Sequence, residues 1–119
     1  MKQYMIIQAY NATEKLSECD LTEKEQWEIY KLRKFLRPHF EFQQEREEEI
    51  KKKYSSYVDS DGKVNSDKAQ DVINDLNNIS NLDVELDEYK KITIKMTKGI
   101  TCKIIESLED FIEFIPPDE

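Results

Sequence analysis

The spacing of the apolar residues changes once along this chain, near Leu82, and that change constrains the fold more than any other feature. Before it, apolar residues recur at helical intervals; after it they alternate with polar ones, as on a half-buried strand. Helices first and strands last, within 119 residues, predict a single α+β domain spanning 1–119. A second core of useful size needs more chain than this.

Met5, Ala9, Ala12 and Leu16 mark an opening helix that ends near Ser17, although QYMIIQAY alone also fits an opening strand. Thr22 and Glu25 have the spacing of a capping box, a hydroxyl for the first-turn amides and a carboxylate that reaches back, so a second helix starts at Glu23. Its apolar side reads Ile29, Leu32, Phe35 and Leu36, with Trp27 and Tyr30 on the flanks. Pro38 removes a backbone donor and crowds the carbonyl four residues earlier, which predicts a stop or kink near Leu36. A helical pattern resumes through Ile50 and Tyr54, with Glu47–Lys51, Glu48–Lys52 and Glu49–Lys53 in the favourable order. DSDGK is the strongest turn signal, and Ser66 caps a further helix carrying Ala69, Val72, Ile73, Leu76 and Ile79. The helices on either side of the turn form an antiparallel hairpin, and Asn77, Asn78, Ser80 and Asn81 fray its second member.

Beyond Leu82, Ile92, Ile94 and Met96 point one way while Lys91, Thr93 and Lys95 point the other. Ile100, Cys102 and Ile104 alternate likewise, which places Cys102 in the core. A three-residue loop, Thr97–Lys98–Gly99 with Gly99 left-handed, pairs Met96 with Ile100 and Ile92 with Ile104 in a small antiparallel β-ribbon. VELDEY is a candidate third strand. Ser107 then caps a short C-terminal helix with the stripe Leu108, Phe111, Ile112 and Ile115, stopped by Pro116 and Pro117. The expected fold is an N-terminal helix and an antiparallel helical hairpin packed on that ribbon and the C-terminal helix.

Charge is segregated. Residues 1–58 carry 11 acids and 11 bases, residues 59–88 carry 9 acids and 2 bases, residues 89–103 carry 5 lysines, and residues 104–119 carry 6 acids. The net charge of −8 therefore arises in the second half, where two acidic blocks bracket a basic ribbon with Lys91, Thr93, Lys95, Thr101 and Lys103 outward. Direct nucleic-acid binding is disfavoured, because phosphate contacts need a net positive surface. A basic surface on another protein fits better, the plain alternative being solubility alone. Two glycines exclude a Gly-rich phosphate loop and a dinucleotide fingerprint. The opening MKQYMIIQAY has neither a long apolar core nor a small-residue cleavage site, and no apolar run reaches membrane-spanning length. These features predict a soluble chain without membrane contact, with Cys19 and Cys102 as free thiols.

Three constellations could carry chemistry. With Gly62 at the sixth position of a calcium loop, Asp59, Asp61, Lys63 and Asn65 fall at positions three, five, seven and nine. Tyr57 and Lys68 then occupy the first and twelfth positions, where carboxylates are required, so an Asp-Gly turn is the expected reading and no metal is assigned. His39 is the single imidazole available as a general base, but no nucleophile motif accompanies it. One His and two distant Cys leave too few ligands for zinc, and neither a cofactor nor catalysis is expected. The aromatic set Trp27, Tyr30, Phe35, Phe40, Phe42, Tyr54 and Tyr57 is expected in the core, and any member left exposed is an anchor for a partner.

The opening YNATEKLS, the capped second helix, LRPHFEFQQEREEEIKKKY, the DSDGKV turn, a strand and the final SLEDFIEFI together resemble small acidic proteins encoded in phage and prophage genomes. Such families carry no assigned activity, so no site residue transfers. The resemblance implies an accessory protein working in the cytoplasm of a bacterial host. The leading expectation is a protein that binds and inhibits or modulates a host or phage protein with a basic surface. A nucleic-acid-handling defence nuclease is one such target, and a CRISPR effector inhibitor (an anti-CRISPR protein) is a concrete member of the class. The residues expected to carry binding are Asp83, Glu85, Asp87, Glu88, Glu109, Asp110 and Glu113. The alternative is a virion assembly factor or minor structural component acting through homo-oligomerisation; a ring or filament belongs to that reading, and a monomer or homodimer to the first.

Overall fold

The computed structural model describes residues 1–117, which form α1 (Gln3–Ser17), α2 (Glu23–Lys53), a short 3-10 turn (Ser55–Tyr57), α3 (Ser66–Ser80), β1 (Ile92–Lys95), α4 (Cys102–Leu108) and β2 (Ile112–Ile115). The fold is mixed helix and strand. No helix of the described residues is long and apolar enough to cross a membrane.

α1 and α2 run antiparallel, and polar side chains mark the register. Gln3 Nε2 donates to the His39 carbonyl at 2.9 Å, Arg33 Nη1 to Thr13 Oγ1 at 2.8 Å, and Gln26 Nε2 to the Ser17 carbonyl at 2.9 Å. These bonds satisfy Gln3 and Thr13, which are buried among apolar neighbours and would otherwise be costly there. Ile6, Ala9, Ala12 and Leu16 form the buried stripe of α1; Met5, which the spacing placed at its head, is exposed. The stripe packs on Ile29, Leu32 and Leu36 of α2.

The expected break at Pro38 does not occur. α2 continues through it to Lys53, with Pro38 and Lys34 both on the solvent side. There the carbonyl left without a donor can be hydrated, so the helix survives the missing bond. The far half of α2 leaves the main core and meets α3 alone, burying Ile50, Tyr54 and Ile79 with Val72 and Leu76 beside them. The Tyr54 hydroxyl donates to Asp75 Oδ2 at 2.7 Å and Lys53 Nζ approaches the same oxygen at 3.1 Å, confirming the antiparallel hairpin. None of the three expected i, i+4 pairs forms among the described residues. Lys53 turns to Asp75, Glu49 pairs with Arg46, and Glu47 accepts from Gln43. Asn65, one residue before the expected Ser66, caps α3 through its bond from the Asp67 N–H. This projecting hairpin stretches the molecule to 57 × 30 × 20 Å and a radius of gyration of 17.9 Å. A globule of this length would have about 13–14 Å.

The sheet overturns the expected ribbon. β1 and β2 are parallel, with Ile92 opposite Ile112 and Ile94 opposite Phe114. Parallel neighbours need a crossover of a dozen or more residues, and residues 96–111 supply it with α4 in the middle. The segment read as the second strand is thus a helix, and the segment read as the C-terminal helix is a strand. Both errors have one cause: residues four apart share a face in either conformation. Ile104 and Leu108 lie on the buried side of α4, with Ile100 buried just before it, and Thr101, not Ser107, is the cap, its Oγ1 accepting the Ile104 N–H at 3.3 Å. Cys102, predicted buried, is exposed. In β2 the β-branched and aromatic run FIEFI turns Ile112 and Phe114 inward and Glu113 outward. Gly99 does adopt a left-handed conformation, φ +103°, but it leads into α4 and not into a hairpin.

Leu108→Ala should therefore lower unfolding free energy by about 2–5 kcal/mol, because Leu108 is fully buried. Cys102→Ser should change it by no more than about 0.5 kcal/mol. Urea denaturation of both variants checks the pair, and a large Cys102 effect would restore the antiparallel ribbon.

Candidate functional site

Residues 82–91 cross from the end of α3 to β1 as an extended strap. VELDEY is not a third strand; only Asp83 forms a bridge, opposite Lys2. The Gln3 N–H donates to the Leu82 carbonyl at 2.9 Å, and the Val84 N–H to the Met1 carbonyl at 2.9 Å, which ties the strap to the start of α1. Val84, Leu86 and Tyr89 pack against the core. The residues between them project outward, so Glu85, Asp87 and Glu88 are exposed as a consequence of the strap's apolar anchoring.

Tyr89 joins the strap to the rest of the acidic surface. Its ring packs on Phe35 at 4.6 Å and edge-on against Phe111 at 6.4 Å. Glu88 and Asp110 each immediately precede one of the rings in that second contact, so the strap and the α4–β2 turn lie side by side. Glu109, Asp110 and Glu113 are exposed, Glu113 on the outer face of β2 opposite Thr93. Among the described residues no ion pair engages these three or Glu85, Asp87 and Glu88. Asp83 differs. A bond from Lys2 Nζ at 2.9 Å holds its carboxyl below the usual carboxylate range, and it anchors the strap. Asp118 and Glu119, the last acids of the C-terminal block, lie outside the described residues.

Glu25 accepts backbone amides from two segments distant in sequence. Its Oε1 accepts the Thr22 N–H at 2.9 Å and completes the capping box, since Thr22 Oγ1 accepts the Glu25 N–H at 3.1 Å. Its Oε2 accepts the Lys95 N–H at 3.0 Å, from the edge of β1 that faces away from β2. Partial burial pushes its pKa up, but the Thr22 and Lys95 amides outweigh that and leave it below the ordinary glutamate value. The capping role was legible from spacing, whereas the bond to residue 95 was not.

The other sequence candidates resolve as follows. Asp59 Oδ1 accepts the N–H groups of Asp61 and Lys63, both at 2.9 Å, so this carboxylate is turned into its own loop. Gly62 takes φ +80°, and Val58 bridges Val64 across the turn. At the two positions where a calcium loop needs carboxylates, Lys68 Nζ lies over the Tyr57 ring at 5.1 Å. His39 is half-buried on α2, its carbonyl engaged by Gln3. Both cysteines are free thiols. Burial, then the charge of Glu18, pushes the Cys19 thiol up, opposite to what a nucleophile requires. Of the aromatic set, Tyr54 is buried and Phe35 and Phe40 are half-buried, whereas Phe42 and Tyr57 are exposed. Trp27 and Tyr30 are 58% and 47% exposed and stack on each other at 5.3 Å.

Because Glu25 has a depressed pKa in the fold, its stabilisation is fully present above the unfolded-state value and is lost as pH falls through the folded-state value. Glu25→Gln should cost about 1–2 kcal/mol at neutral pH and should flatten the decline of melting temperature on acidification. Parallel acid titrations of the two proteins, followed by circular dichroism, read the difference. Comparison with protein-family models, with curated proteins and with solved structures gives no match for this chain.

Proposed function

We propose that this protein acts by binding, presenting the acidic strap and the adjoining turn to a basic surface on another protein. The observation that supports this reading most is the arrangement of residues 84–89. Val84, Leu86 and Tyr89 are spent on anchoring, and Glu85, Asp87 and Glu88 are held outward without an intramolecular cation among the described residues. Preordered carboxylates of one sign raise the association rate with a basic partner and discourage neutral ones. Glu109, Asp110 and Glu113 extend the same face, and Asp83 fixes its origin through Lys2. In the setting implied by the resemblance to phage-encoded accessory proteins, the partner is a host protein that handles nucleic acid, and the acidic face occupies its basic groove as an inhibitor.

A second reading, self-assembly as a structural component, draws support from the exposed Trp27–Tyr30 pair, since stacked aromatics in solvent are a common anchor of protein interfaces. Light scattering separates the two: a ring or filament that dissolves on Trp27→Ala supports assembly, and a monomer or dimer supports inhibition.

Capture of partner protein from bacterial lysate tests the first reading. Retention should fall steeply between about 50 mM and 500 mM salt, as for exposed charge pairs. It should be lost on the combined Glu85→Lys, Asp87→Lys and Glu88→Lys change. Retention that ignores both salt and charge reversal would remove the electrostatic mechanism.

A further inference from the structure

β1 is paired on one edge only. The Ile92 and Met96 N–H groups donate to the Phe111 and Ile115 carbonyls of the β2 side at 3.0 and 2.8 Å. By the alternation of the backbone, the Thr93 and Lys95 N–H groups point to the opposite edge. At Lys95 that edge is capped by a carboxylate, Glu25 Oε2. Two residues upstream, at Thr93, it opens into a groove of about 740 Å³ between the first turns of α2 and residues 89–93.

The groove is lined with ammonium groups. Lys24 and Lys31 stand on the helical wall, Lys90 and Lys91 on the strand wall, and Tyr89 contributes apolar surface. The two acids in the lining are already engaged: Glu28 with Lys31 at 3.1 Å, and Glu25 with the Thr22 and Lys95 amides. Among the described residues no ion pair occupies Lys24, Lys90 or Lys91. The site thus combines an outward strand donor with cations on both walls.

We infer that this groove binds an extended acidic segment of a partner protein. The segment adds as a strand along the outer edge of β1, its backbone carbonyl accepting the Thr93 N–H and its carboxylates reaching Lys24 on one wall and Lys90 and Lys91 on the other. The Glu25–Lys95 bond is the internal precedent, a carboxylate already satisfying the same edge. A peptide fits better than a nucleic acid, because strand addition uses the Thr93 donor. A net charge of −8 also opposes a long polyanion more than a short acidic segment. The groove adjoins the acidic face at Tyr89 and Thr93 but takes a ligand of opposite sign, so a lysine-to-glutamate change in the groove and a carboxylate-to-lysine change on the strap test the two readings separately.

The probe is an acetylated hexapeptide alternating Glu and Val, with its Gln–Val counterpart as control. Trp27, the single tryptophan, stands on the same turns of α2 as Lys24 and Lys31 and reports binding by fluorescence. The Glu peptide should bind saturably, and about tenfold or more tighter than the Gln peptide at low salt. Lys24→Glu combined with Lys91→Glu should abolish the preference while leaving the circular dichroism unchanged, since both side chains are exposed. Thr93→Pro deletes the outward donor without altering charge and leaves the β2 ladder intact, and should weaken binding about tenfold. If that variant does not fold, the double lysine variant decides alone. Equal affinity for the two peptides, wild-type affinity in a folded variant, concentration-dependent self-association that excludes the peptide, or displacement by a tighter-binding single-stranded oligonucleotide would each overturn the assignment.

Discussion

Parallel pairing of two four-residue strands is the constraint on which the second half of the molecule depends. A two-stranded sheet is too small to stand alone, and parallel strands cannot be joined by a tight turn. The chain between them must leave one end of the sheet and return to the other, and it does so as α4 packed on α1. With α4 placed, Ile94 and Ile112 face inward onto the stripe that α1 and α2 present. One core then includes residues from Ile6 to Ile112.

Such a thin sheet has exposed edges, and the molecule covers one of them with a side chain. Glu25 sits at the start of α2, where a carboxylate is already favoured by the unpaired amides of the first turn. Reaching the Lys95 amide from there lets one group terminate a helix and shield a strand. The strap serves the neighbouring region: its apolar residues close the core around Tyr89, and its acids face solvent because the intervening positions have nowhere else to point.

The end of α1 and the starts of α2 and α3 were legible to within a residue or two, whereas α4 was read as a strand. The capping box at Thr22–Glu25, the stop at Ser17 and the DSDGK turn with the helices around it are local signals, set by amides and side chains three or four residues apart. Pro38 was misleading because its penalty depends on whether the freed carbonyl meets solvent, which is a property of the helix's orientation. Residues 100–115 were misleading for a different reason. Their apolar spacing satisfies two periods at once, and only burial of Ile104 with exposure of Cys102 distinguishes them. The acidic face was readable as composition; the Lys24, Lys31, Lys90 and Lys91 groove was not, since its walls are more than fifty residues apart in the chain.

By itself, the order of residues determined where α2 and α3 begin, which residues are apolar and how charge is divided among segments, because each of these is a matter of near neighbours. The direction of β2 relative to β1, the passage of α2 through Pro38 and the meeting of Glu25 with Lys95 were decided only by tertiary structure. Each of those compares alternatives of similar local energy, and the difference between them comes from surface buried and hydrogen bonds made between segments distant in sequence.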